Sequence, residues 1–159
     1  MELRSIDGES SISLTEWEAD DIGIKAAIAV RAGAFTGASG EVWFFRDAFT
    51  ACVRALEHLT VRHGGEARLE SMSPEEVTLS IRPMDSARHV LVEAQIARGH
   101  YLRGHYLRGH YLRGHYLRGH YLRGHYSENR VCITFELDPS RLPDIVRSLA
   151  AVIDDLEIA

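Results

Sequence analysis

Apolar and polar residues alternate with a period of two over several short stretches of this chain, the spacing of strands that bury one face. Ser10 to Trp17 carries Ile12 and Leu14, with Trp17 beyond them, and Ile22, Ile24, Ala26, Ile28 and Val30 alternate without a break. After the glycine-containing stretch Gly33 to Gly40, the β-branched and aromatic run Glu41-Val42-Trp43-Phe44-Phe45 predicts a third strand. Ala67 and Leu69 predict a fourth, and Val77, Leu79 and Ile81 a fifth, with Ser73-Pro74 turning the chain between them. His89 to Ile96, with Val90, Val92 and Ala94 on one face, and Val131, Ile133 and Phe135 complete the set.

The period changes to 3.6 in two places. Phe49, Cys52, Val53, Leu56 and Leu59 follow the i, i+3, i+4, i+7 spacing of an amphipathic helix, which predicts a helix over 47–63. Asp47 is its expected cap and Gly64-Gly65 its expected stop. Asp138-Pro139-Ser140 opens a second helix, whose stripe is Leu142, Ile145, Val146, Leu149, Val152, Ile153 and Leu156; Pro143 is tolerated in its first turn. The expected fold class is therefore α+β: one domain spanning 1–159, with an antiparallel sheet of about seven strands and two helices packed on one face.

Between the last two strands this pattern is interrupted. Residues 98–126 are six tandem copies of Arg-Gly-His-Tyr, five of them followed by Leu. Removing five copies leaves an ordinary polar hairpin loop, so the parent fold makes sense without the repeat. A period of five suits no one-faced element. In a strand it sends successive tyrosines to opposite faces. In a helix it advances each leucine about 140° beyond a full turn, with a costly glycine in every copy. A square pentapeptide solenoid wants a small residue two places before its inward Leu, where this chain has His. The insert is expected to extend the hairpin of its flanking strands as a twisted ribbon, with a compact or disordered loop as the alternative.

Charge separates the two parts. Of the 18 basic and 23 acidic residues, the insert holds six arginines and no acid, so the remainder carries 12 against 23, a formal −11. All six tyrosines and six of the nine histidines are also in the insert. The opening thirty residues have neither a basic start nor a continuous apolar run, and no stretch has the length to span a bilayer, so a cytoplasmic protein without membrane contact is expected. Cys52 and Cys132 occupy apolar stretches without zinc-like spacing and read as small buried residues.

The repeat is the obvious place to look for chemistry. Its assembly or binding surface is expected in the central copies: Arg103, His105, Tyr106 and Leu107, then Arg108, His110, Tyr111 and Leu112, then Arg113, His115, Tyr116 and Leu117. Arginine interleaved with tyrosine suits nucleic acid, and serial histidines suit a transition metal. The acidic body argues against nucleic acid, and a spacing of five fixes no coordination geometry, so self-association is the favoured consequence.

The body offers less. His58 and His63 lie five apart on the first helix and do not share a face as paired ligands would; they read as surface or helix-end histidines. Asp154, Asp155 and Glu157 read as a solvated helix end, and Asp20-Asp21 and Glu75-Glu76 as turn acids. There is no nucleophile elbow, P-loop or dinucleotide fingerprint. The expectation is no catalytic residue, no cofactor and no metal site; an enzyme of unknown chemistry, built from residues the fold assembles, stays open.

Ala34-Phe35-Thr36-Gly37, then Val42-Trp43-Phe44 leading into the Phe49 to Leu59 helix, Gly65-Glu66-Ala67-Arg68-Leu69, His89-Val90-Leu91-Val92 and Phe135-Glu136-Leu137-Asp138 together resemble a family of small bacterial α+β proteins. Some relatives in that family are immunity proteins of the WapI type. The resemblance covers the body and excludes the repeats, and its motifs are structural. It implies a non-enzymatic module that binds a cognate protein, commonly a basic toxin, toward which an acidic body would steer.

Overall fold

The computed structural model describes residues 1–85, 89–98 and 129–157. It holds eight strands and two helices in the order β1 (Glu2–Arg4), β2 (Ser10–Ala19), β3 (Gly23–Ala32), β4 (Phe35–Phe45), α1 (Arg46–Arg62), β5 (Ala67–Glu70), β6 (Val77–Pro83), β7 (Val90–Arg98), β8 (Asn129–Leu137) and, after a 3-10 turn at Pro139–Arg141, α2 (Leu142–Glu157). The α+β class stands, but the single sheet of about seven strands does not. Two antiparallel sheets of four strands form, ordered β1-β2-β3-β4 and β5-β6-β7-β8. The extra strand is β1, where Leu3 is the only buried apolar residue, too short a pattern to stand out.

Both sheets are meanders, each strand pairing with the strand before it in the chain. The 17-residue helix α1 interrupts this sequence of neighbours and starts a second sheet. The sheets meet at their lateral edges. An isolated bridge joins Ser5 to Leu137, the Ile6 N–H donates to the Glu136 carbonyl at 3.1 Å, and the Met72 N–H donates to the Trp43 carbonyl at 2.7 Å. They also approach face to face at Gly37, where a Cβ would stand 3.0 Å from Val131 Cγ2.

Inward positions of both sheets and both helices share one core. Ile12, Leu14, Ile24, Ile28 and Phe44 come from the first sheet, and Leu69, Ile81, Val92, Phe135 and Leu137 from the second. Each such side chain contributes roughly 1.5–3 kcal/mol through removal of apolar surface from water. Helix α1 buries Phe49, Cys52, Val53, Leu56 and Leu59 on the face its periodicity predicts. It packs against β5 and α2 and also reaches β3, β4 and β6, so it serves both sheets rather than covering one face of a single sheet.

The ends of α1 differ from expectation. Phe45 is the N-cap, with no side-chain cap bond, and Asp47 sits in the first turn, where its charge meets the positive helix end. His63, at φ 53°, forms the left-handed C-cap and donates its N–H to the Leu59 carbonyl, one residue before the glycines expected to stop the helix. Asp138 caps the 3-10 turn that precedes α2, accepting from the Ser140 N–H at 2.9 Å.

Candidate functional site

The repeat surface expected from sequence, Arg103 to Leu117, lies outside the described residues, as does the extension of the hairpin. The strands that carry the insert are in place: β7 and β8 pair from Val90↔Leu137 to Arg98↔Asn129. Within the described residues attention moves to the outer faces of the two sheets.

The outer face of the second sheet is an open groove of about 640 Å³, lined by residues such as Glu66, Arg68, Glu70, Glu93, Gln95 and Arg130. Its arginines each pair with a glutamate. Arg68 pairs with Glu70, Arg82 holds Glu93 through Nε at 3.1 Å, and Arg130 reaches Glu75 at 3.4 Å. Ser80 Oγ donates to Glu66 at 2.7 Å. At one end of the sheet His89 lies 2.6 Å from Asp85 and 3.8 Å from Glu136; the hydrogen bond to Asp85 raises its pKa above the usual value, with the Asp85 and Glu136 charges adding to the effect.

The first sheet is built differently. Between Thr15↔Ala27 and Glu18↔Lys25, β2 spends three residues against two of β3; between Ile28↔Ser39 and Ala26↔Val42, β4 spends three against two. Two bulges therefore flank β3 at the same level. Each reverses which residue parity faces the core. In β2 the inward residues pass from Ile12 and Leu14 to Trp17 and Ala19, and in β4 they resume at Val42 and Phe44. Trp17 packs edge-on against Phe49 of α1, with ring centroids 5.6 Å apart. Glu16, the extra residue of β2, has φ 55°, a left-handed conformation.

Beside the bulges one cation, Lys25, pairs with Glu18. Lys25 Nζ lies 2.5 Å from Glu18 and 5.9 Å from the centroid of the Trp43 ring. Its pKa is raised, first by the hydrogen bond to Glu18 and then by the charges of Glu18, Glu41 and Glu16, against an opposing desolvation. Lys25 is sheltered, with its side chain 19% exposed, whereas Glu18 is 68% exposed. Among the described residues no basic group lies within ion-pair distance of Glu16 or Glu41. Glu18 is thus the carboxylate in contact with this ammonium, and the charges of Glu41 and Glu16 act on it in the same direction.

Apolar surface borders this charge. Trp43 is half-buried on the outer side of β4, Phe45 is 54% exposed at the strand end, and Ile22 is 67% exposed in the adjoining turn. That turn is fixed by Asp20, whose Oδ1 accepts from the Ile22 and Gly23 N–H groups at 2.8 and 2.9 Å, and Arg46 Nε donates to the Asp20 carbonyl. Gly23 is required here, because a Cβ would stand 2.3 Å from the Met72 methyl and 2.4 Å from the Phe44 carbonyl oxygen. The arrangement places a half-buried aromatic ring and exposed apolar side chains beside charged residues.

The remaining expectations resolve one by one. His58 is exposed on α1, with Nδ1 3.4 Å from the Gly64 carbonyl oxygen, and His63 is the helix cap, so both are surface or helix-end histidines as expected. Cys52 is buried and its thiol is pushed up to about 12 by desolvation. Cys132, expected buried, is exposed: Ile133 and Phe135 face the core, and alternation turns Cys132 outward. Both cysteines are free. Asp20 and Glu75 are turn acids as expected, Glu75 at φ 63°. Asp154 is exposed, and the side chains of Asp155 and Glu157 lie outside the described residues. Among the described residues no group of three metal-ligating side chains assembles, and no helix is long and apolar enough to cross a membrane.

Sequence reasoning does not single out Glu16, Glu18, Lys25 and Glu41 as a site. Their signal is a slip in alternation, from Leu14 to Trp17 and from the start of β4 to Val42, which marks a bulge only once the partner strand is known. Comparison with protein-family models, with curated proteins and with solved structures gives no match for this chain.

Proposed function

We propose that this chain is a non-enzymatic protein-binding module of the immunity type, acting in the cytoplasm on a basic toxin through the outer face of its first sheet. The observation that carries the reading is the site at Trp43, where Lys25 pairs with Glu18 beside the ring, the charges of Glu41 and Glu16 add to the acidic side, and Phe45 and Ile22 are exposed. An acidic body accelerates encounter with a basic partner, and an aromatic centre supplies contact area once the two meet. The resemblance to WapI-type immunity relatives points the same way. The Arg-Gly-His-Tyr insert is assigned to self-association, on the strength of its tyrosines and leucines.

The test is a mixture of the purified chain with the toxin domain encoded beside its gene. A stoichiometric complex on gel filtration, with the toxin's activity suppressed, supports the reading. A gene neighbourhood without a toxin, or a toxin fully active with the chain in excess, overturns it. Shortening the insert to one copy is expected to leave the complex intact and remove higher-order species. Unchanged size distributions would contradict the role given to the insert.

A further inference from the structure

We infer that His89 is a pH-operated clasp at the seam between the two sheets, holding the end of β8 through Glu136 when its ring carries two N–H protons and releasing it when the ring carries one. This stands apart from the binding role proposed for the first sheet. Three segments meet at the ring. Asp85 follows β6, His89 precedes β7, and Glu136 lies near the end of β8. His89 Nδ1 is 2.6 Å from Asp85 Oδ2, a hydrogen bond, whereas Nε2 is 3.8 Å from Glu136 Oε1, an ion-pair distance beyond hydrogen-bond contact. The same residues fasten the backbone. The Met84 N–H donates to the His89 carbonyl at 2.8 Å, and the Ile6 N–H, from the first sheet's side of the seam, donates to the Glu136 carbonyl at 3.1 Å.

The two ring nitrogens titrate unequally. An ionised carboxylate only accepts, so the Nδ1 beside Asp85 keeps its hydrogen in both states of the ring. The proton lost on neutralisation therefore leaves from Nε2. Glu136 then faces a charged N–H donor in the imidazolium and a lone pair in the neutral imidazole. Both carboxylates favour the cation, against an opposing desolvation. The neighbouring charged groups of the packed elements are engaged with other partners. Arg82 of β6, whose cross-strand neighbour Leu91 pairs in turn with Glu136, is held by Glu93 of β7. Asp7, next to Ile6 in the first sheet's turn, accepts from Ser5 Oγ and the Glu9 N–H. The side chains of the clasp are 39% to 48% exposed, so water screens the contact and its effect is modest.

The experiment uses the full chain between pH 5.5 and pH 9, with the histidine ring nitrogens followed by nitrogen NMR and the Ile6 amide by hydrogen exchange. The His89 signals are assigned by their absence in His89→Gln. Above its titration the ring is expected to keep its proton at Nδ1. Protection of the Ile6 amide, corrected for the intrinsic exchange rate, is expected to be about threefold higher at pH 5.5 than at pH 9. Glu136→Gln, at an exposed side chain, is expected to remove that difference while Nδ1 stays bound to Asp85. Loss of the proton from Nδ1, or Ile6 protection that is equal at the two pH values, overturns the inference. A difference that survives in Glu136→Gln or in His89→Gln overturns it as well.

Discussion

The two four-stranded sheets of this protein both carry charge on their outer faces and use it in opposite ways. In the second sheet the strands pair in unbroken register, and Arg68, Arg82 and Arg130 of the outer face pair with Glu70, Glu93 and Glu75, while Glu66 accepts from Ser80. In the first sheet two bulges at one level break the register, and the carboxylates they turn outward exceed the cations beside them. A paired charge on an exposed face adds little stability and little recognition. An unpaired one stays open to an external cation. The site is thus marked by imbalance and broken alternation rather than by charge density.

If the sheets are two faces of one folding unit, core damage in either should weaken both. Phe44→Ala in the first sheet is expected to cost roughly 4 kcal/mol and Ile81→Ala in the second roughly 3 kcal/mol, since both side chains are buried and leave cavities. Urea unfolding followed by fluorescence and by circular dichroism should give one coincident transition for each variant. Two separated transitions would break the shared core into two.

A smaller effect separates the glycines of the first sheet. Gly23→Ala is expected to cost about 2 kcal/mol, because the new methyl meets the Phe44 backbone and the Met72 side chain. Gly40→Ala, with open space around it and no positive φ, should leave the denaturation midpoint nearly unchanged. Equal costs would mean that the tight packing of the β2–β3 turn against Met72 is not what fixes that end of the sheet.

Thiol chemistry sharpens the contrast between inner and outer positions. One thiol per native chain, Cys132, should react with an aromatic disulfide reagent at neutral pH, and Cys52 only after unfolding. The smallest effect is expected at His89. Its pKa is raised in the folded state, so its contribution is fully present below about 6.5, the unfolded value, and is lost as pH rises through the folded one. His89→Gln should therefore lower the melting temperature at pH 5.5 and leave it unchanged at pH 9.

Local elements are legible in the sequence to a degree that tertiary relations are not. The α1 stripe from Phe49 to Leu59 and the alternation of Val77, Leu79 and Ile81 identify their elements because each pattern is complete within a few residues. Whether seven such strands make one sheet or two depends on which edges meet, and the bridge between Ser5 and Leu137 joins residues from opposite ends of the chain. The outward turn of Cys132 is readable from Ile133 and Phe135, and treating cysteine as a core residue obscures it. Glu16 and Glu41 read as strand polar residues, since a bulge is a mismatch between two strands and neither strand shows it alone.

The central proposal, that a partner would be recognised by the first sheet and not by total charge, is tested by matched reversals. Glu16, Glu18 and Glu41 are changed to Lys in one variant, and Glu66, Glu70 and Glu75 on the second sheet in another, so both carry the same net charge. Affinity for the proposed toxin partner is measured by calorimetry at fixed salt. The predicted result is a loss of about 100-fold or more for the first-sheet variant, as expected when central interface contacts are reversed, and little change for the second. Equal losses in the two variants would contradict it.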